Sequence, residues 1–152
     1  MTIWNEGRHG PMPVKQISVS LENVPGKLSE VSDYLGDNGI NIIALSVADT
    51  ADLSAVRFVA NDPEKAVNVL RSHGYSVKTT EVLALEAPNH PGGLNAVLRP
   101  LQEMKINVNY LYTCLGRGEN TVLIVGVDKM EEAIQVLKKN WVHMYDEELY
   151  TL

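Results

Sequence analysis

The chain has 152 residues, 45% of them apolar, and a formal net charge of −6. The apolar share is enough for a packed core, and the acidic balance excludes nucleic acid and anionic membranes as partners, because both require a basic surface. The single cysteine, Cys114, excludes an internal disulfide and any multi-cysteine metal site and suits a reducing cytoplasm, while no apolar run approaches the ~20 residues of a membrane span.

The opening residues 1–13, MTIWNEGRHGPMP, carry two glycines and two prolines, show no periodicity and lack the apolar segment of a signal peptide; they predict an N-terminal arm. VKQISVSLE follows, with Ile17, Val19 and Leu21 on one face and Ser18 and Ser20 on the other, the alternation of a strand with one wet face. The corner ENVPGK leads into a helix whose stripe is Leu28, Val31 and Leu35. INIIALSVA and LSAVRFVA read as strands joined by the acidic turn DTAD. Asp62 then caps a second helix with Pro63 at its first position, and YSVKTTEV closes the unit as a strand.

The order then repeats. At an offset of 66, Glu22–Leu45 aligns with Pro88–Leu111 without gaps and nine of 24 positions are identical, Asn23/Asn89, Pro25/Pro91, Gly26/Gly92 and Leu28/Leu94 among them. After one inserted residue EKAVNVL pairs with EEAIQVL. The second copy reads as a strand through Leu83, Leu85 and Ala87, the corner PNHPGG, a helix with Leu94, Val97, Leu98 and Leu101, strands VNYLYTCL and TVLIVGV around the loop GRGEN, a helix capped by Asp128, and VHMYDEELY as the closing strand. Two misfits stand out: Pro100 inside the first helix of this copy should bend it on its solvent side, and Trp141 lies where the first copy has the turn residue Gly74. The fold class expected is α+β: two ferredoxin-like βαββαβ units, each an antiparallel four-stranded sheet with both helices on one face. Boundaries fall at residues 14–82 and 83–152, with no linker, since the last strand of the first unit runs into the first strand of the second; the units are expected to be held rigidly.

The repeated Asn-x-Pro-Gly corner has two readings. Pro presets φ and Gly accepts unusual dihedrals, so the motif is good turn chemistry by itself. It also stands at a helix N-terminus, where unpaired N–H groups and partial positive charge attract a carboxylate. With Gly26 and Gly92 permitting close approach, and Asn23 and Asn89 supplying amide oxygens, such a corner suits an α-amino acid.

SLENVPGKLSEVSDYLGDNGINIIAL with DPEKAVNVLRSHGYSV, and LEAPNHPGGLNAVLRPLQEMKINVNYL in the second copy, resemble the ACT domain, over about Val14 to Leu149. The resemblance implies a stand-alone tandem of ACT units that binds an amino acid or another small effector between paired domains. It implies contacts from Asn23, Val24, Pro25, Gly26, Lys27 and Leu28 and from Asn89, His90, Pro91, Gly92, Gly93 and Leu94. The facing strands would offer Ile42, Ile43 and Ala44, and Val108, Asn109 and Tyr110. Family members often carry Asp where this chain has Asn23 or Asn89, and a neutral amide is a poorer acceptor for a ligand ammonium. The second corner has the richer chemistry, with His90, Asn109 and Tyr110 against Val24, Ile43 and Ala44, and is the expected binder; Tyr110 or Tyr112 covering a sheet face is the competing reading.

Catalytic and metal constellations fail. His9, His73, His90 and His143 have no ligand spacing with one another or with Cys114. There is no phosphate loop, nucleophile elbow or paired-carboxylate motif. An RNA-recognition sheet would need aromatics where this chain has a single Phe, Phe58. Neither corner has the Arg of an acylphosphatase-like loop or the Cys pair of a copper chaperone. The expectation is a cytoplasmic, non-catalytic amino-acid sensor without cofactor or metal, a homodimer through its unguarded edge strands, read by a partner enzyme. The alternative is a regulatory subunit that acts by protein–protein contact without a ligand.

Overall fold

The computed structural model describes residues 13–50, 52–116 and 120–151; apart from Pro13, the arm expected over residues 1–13 lies outside them. The chain divides into two compact units, Lys15–Glu81 and Val82–Tyr150.

The first unit contains β1 (Val14–Glu22), α1 (Lys27–Asp37), β2 (Ile42–Thr50), β3 (Leu53–Ala60), α2 (Pro63–Ser72) and the start of β4 (Val77–Ala87). Its strands lie in the order β2-β3-β1-β4, with β1 and β2 each antiparallel to β3. Alternation in β1 sends Ile17, Val19 and Leu21 to the helices, where they meet Val31 and Leu35 of α1, Ala66, Val67 and Leu70 of α2, and Val56 and Phe58 of β3. Burying each large apolar side chain contributes roughly 1.5–3 kcal/mol. Asp62 caps α2 as expected, its carboxylate accepting the N–H of Lys65 at 3.2 Å with Pro63 at the first position.

The second unit contains the end of β4, α3 (Asn95–Glu103), β5 (Val108–Thr113), β6 (Thr121–Val127), α4 (Met130–Lys139) and β7 (Met144–Tyr145), with β4 and β5 antiparallel to β6 and β7 antiparallel to β4. Its core joins Leu83, Leu85 and Ala87 to Val97 and Leu101 of α3 and to Ala133, Ile134 and Leu137 of α4. Both units therefore have the α+β, ferredoxin-like plan.

Four details differ from expectation. The closing strand is only Met144–Tyr145, and Glu147–Thr151 forms a 3₁₀ helix with Leu149 buried. Asp128 does not cap α4. Its carboxylate accepts the N–H of Asn107 at 2.9 Å, the task that Asn61 performs for Asn41 in the first unit, so the residue at the cap is Lys129. Pro100 is buried, not on the solvent side of α3. Trp141 takes the turn role of Gly74: each follows a helix with positive φ, 61° and 86°, and donates to the carbonyl three residues back.

Candidate functional site

The two corners are built differently. In the first, Gly26 stands at the N-cap of α1 with φ 91° and offers no side-chain cap. The N–H of Lys27 reaches back to the Val24 carbonyl and that of Glu30 to the Gly26 carbonyl. Among the described residues the N–H groups of Leu28 and Ser29 have no acceptor, so the positive end of this helix is unspent. The backbone N–H of Asn23 donates to the Asp52 carbonyl at 3.0 Å, and its side-chain amide donates to Asp49 Oδ1, also at 3.0 Å. That bond uses the amide nitrogen of Asn23, leaves its oxygen available as an acceptor and places a carboxylate beside it. The negative charge missing from position 23 is thus supplied from the far end of β2. Sequence reasoning missed Asp49; the signal was its alternation with Leu45 and Val47 along the strand.

Next to this corner a cavity of about 340 Å³ opens between α1 and β2, lined by Leu28, Ser29, Val31, Ser32, Leu35, Ile42, Leu45, Val56 and Phe58. Leu28 of this lining is exposed, as are Val24 in the corner and Val47 along β2. Of the strand residues expected to face a ligand, Ile42 lines the cavity, but Ile43 and Ala44 are fully buried and offer no surface. A bulge between Ile42 and Ala44 causes this, because it breaks the alternation and puts Ile42 and Leu45 on the helix side together.

The second corner leaves the Leu94 N–H without an acceptor among the described residues, as the first does that of Leu28, but it spends the donor equivalent to that of Ser29. Gly93 N–H donates to the His90 carbonyl, Asn95 to Gly92, Ala96 to Gly93 and Val97 to Leu94. Gly93 sits so close to the Pro88 carbonyl that a Cβ there would lie 2.0 Å from its oxygen, which explains the glycine without a ligand. His90 is exposed, its Nδ1 3.0 Å from the Pro91 carbonyl, and Asn89 and Pro91 are exposed as well. Asn109 accepts from the Asn107 amide at 2.8 Å. Tyr110 lies opposite Gly126 in the ladder with its ring over that glycine, within 2.8 Å of where a Cβ would stand, and Tyr112 is stacked 6.5 Å away. A bulge between Val108 and Tyr110 again sets the faces: Val108 and Leu111 join the helix-side core and the tyrosines take the other side. The sheet-covering reading of Tyr110 and Tyr112 therefore describes them. A cavity of about 500 Å³ does lie between α3 and β5, lined among others by Asn95, Leu98, Gln102, Asn107 and Val108, but Leu98 stands in it where the first unit has Ser32.

Two tyrosines are electrostatically marked. Burial, then the hydrogen bond its hydroxyl donates to Glu30, then the charge of that carboxylate push Tyr75 up to about 12. Tyr145 is raised by burial and then by the Glu86 charge. Among the described residues no group of three or more His, Cys, Asp or Glu side chains could hold a metal ion, and no helix is long and apolar enough to cross a membrane.

The family of ACT domain pairs matches residues 12–152. Among solved structures, protein BT0572 from Bacteroides thetaiotaomicron is 33% identical over 93% of this chain and 98% of its own, with a TM-score of 0.87. The ligand-free regulatory subunit of aspartate kinase from Thermus thermophilus is 12% identical over 86% of this chain and 94% of its own, TM-score 0.62. Aspartokinase alpha and beta subunits are 19% identical over 84% and 91%, TM-score 0.58. Among curated proteins none matches.

Proposed function

Because the chain belongs to the family of ACT domain pairs, we propose that it is a non-catalytic, cytoplasmic regulatory protein that binds an α-amino acid at the corner of its first unit. The observation that carries this reading is the meeting of unlike groups at one place: the unspent N–H groups of Leu28 and Ser29, the Asn23 oxygen with the Asp49 carboxylate, and the apolar groove behind Leu28. The N–H groups suit the carboxylate of the ligand, Asp49 and Asn23 suit its ammonium, and the groove suits an aliphatic side chain. Val24, Pro25, Gly26 and Lys27 complete the loop, with Gly26 leaving the approach open. This reverses the preference for the second corner, where Asn89, His90, Gly92 and Leu94 surround a helix start whose Asn95 N–H is already used. The regulatory role is supported by the fold shared with the aspartate kinase regulatory subunit of Thermus thermophilus, and a partner enzyme would read the effector-bound form.

A thermal-shift screen of the amino acids tests this directly. A ligand at ~100 times its dissociation constant adds about 2.7 kcal/mol, a shift that is easily read. Asn23→Ala and Asp49→Asn should each weaken binding about tenfold or more while the fold survives, and Asn89→Ala should leave it unchanged. Loss in Asn89→Ala alone would return the site to the second corner. No shift with any amino acid would favour the reading in which the protein regulates by protein contact without a ligand. The edge strands β2 and β5 end the strand order, each paired on one side only among the described residues, with Val47 exposed on the first. A homodimer that covers such an edge has a fixed mass, which sedimentation would show.

A further inference from the structure

The duplication supplies an internal comparison on the helical face of each unit. Between α3 and α4 a groove of about 430 Å³ is lined by Asn95, Ala96, Arg99, Pro100, Glu103 and Asn140. At the equivalent positions the first unit has Glu30 for Ala96, Asp33 for Arg99, Tyr34 for Pro100, Asp37 for Glu103 and His73 for Asn140. There the space is filled: Tyr34 stacks on His73 at 3.8 Å, Tyr75 meets Tyr34 edge-on at 6.2 Å and donates to Glu30. One unit thus presents an acidic aromatic ridge, the other an open groove containing Arg99.

The rim of the groove holds the second observation. Trp141 follows Asn140 and is 94% exposed. Its φ is 61° at a position where the first unit uses glycine, a conformation that costs a bulky residue energy. Lys138 and Lys139 precede it in the last turn of α4, while Glu131 and Glu132 stand in the first turn, at the other end. Arg99, Asp33 and Asp37 have no ionic partner among the described residues. The ridge carries Glu30, Asp33 and Asp37; the groove carries Arg99 and Glu103, with Lys138 and Lys139 in the adjoining last turn of α4.

We propose that the α1 ridge of one copy docks into the α3–α4 groove of a second copy, with Trp141 as the apolar anchor and Arg99 facing Asp33 and Asp37. The two surfaces are different patches of the same chain, so each copy offers both halves of the contact. It goes beyond ligand binding at the α1–β2 groove, which involves the other side of α1, so amino-acid thermal shifts should survive its disruption.

The test is sedimentation velocity of the full chain over a wide range of concentration, in low and high salt. The expected result is a mass that grows with concentration and falls with salt, because exposed charges are screened. Arg99→Asp and Asp33→Arg should each weaken the association about tenfold, and the double exchange Asp33→Arg with Arg99→Asp should restore it. Trp141→Gly should abolish it while raising the melting temperature, since glycine accepts the positive φ; loss of assembly could not then be blamed on unfolding. A mass independent of concentration and salt, or a double exchange no better than its single variants, overturns the proposal.

Discussion

At the scale of single residues, the three glycines of the two corners make different demands. Gly26 and Gly92 have φ of 91° and 79°, and a Cβ at either would meet nothing within 4 Å, whereas Gly93 has no left-handed φ but faces the Pro88 oxygen at 2.0 Å. Gly26→Ala and Gly92→Ala should therefore cost about 1 kcal/mol each through backbone strain, so neither substitution spares the fold while blocking the corner. Gly93→Ala should cost about 3 kcal/mol, the upper range for overpacking against backbone that cannot yield. Urea unfolding of the three variants separates the causes, and equal losses at positions 92 and 93 would refute the steric assignment. Tyr75 gives a pH-dependent counterpart. Its folded value is raised from 10.0 to about 12, so the folded state holds the proton more tightly than the unfolded chain. The stability linked to it is fully present below pH 10 and is lost as the pH rises towards 12. The advantage of the parent over Tyr75→Phe should shrink across that window; a constant difference would rule the linkage out.

At the scale of elements, the two copies show how the same helix can be started in two ways. Asp62 caps α2 through the Lys65 N–H, and Asp62→Ala should lower stability by about 1 kcal/mol in denaturant titrations. α4 has Lys129 at its cap and no side-chain bond there. Its first-turn Glu131 and Glu132 offset that lack through the helix dipole. Lys129→Ala should accordingly lose much less than Asp62→Ala, within a few tenths of a kcal/mol, and a loss as large as that of Asp62→Ala would show that Lys129 supports the helix in some other way. The helix ends are more alike. Lys105 and Trp141 adopt φ of 56° and 61° where the first unit has Gly39 and Gly74, because in each case the chain is pulled back onto the carbonyls of the last turn by the N–H groups there.

At the scale of the whole molecule, a duplicated unit lets each copy specialise. The first keeps the Leu28 and Ser29 donors free beside an apolar groove, and the second spends one of the equivalent pair, that of Asn95, and opens a groove between its helices. If the α1–β2 groove takes the ligand's side chain, calorimetry should rank aliphatic amino acids above charged ones, because Leu28, Val31, Leu35, Ile42, Leu45, Val56 and Phe58 offer no partner to a buried charge. A charged amino acid as the tightest ligand would defeat that assignment.

The order of elements, the duplication, the Asp62–Pro63 cap and the apolar stripes, apart from Leu28 and Leu94, which are exposed, were legible in the sequence, because alternation, helical period and capping depend on neighbours a few residues away. The site was legible only in outline. Asp49 reaches Asn23 across 26 residues. The two corners differ in one donor, the Asn95 N–H being spent on the Gly92 carbonyl where the Ser29 N–H is free. Single-residue bulges after Ile42 and Val108 decided which strand residues face the helices, burying Ile43 and Ala44 and laying Tyr110 over Gly126. A bulge shifts a period of two by one residue and exchanges the faces of a strand. Its position is set by the packing of the partner strand, a contact between distant residues that the local pattern does not carry.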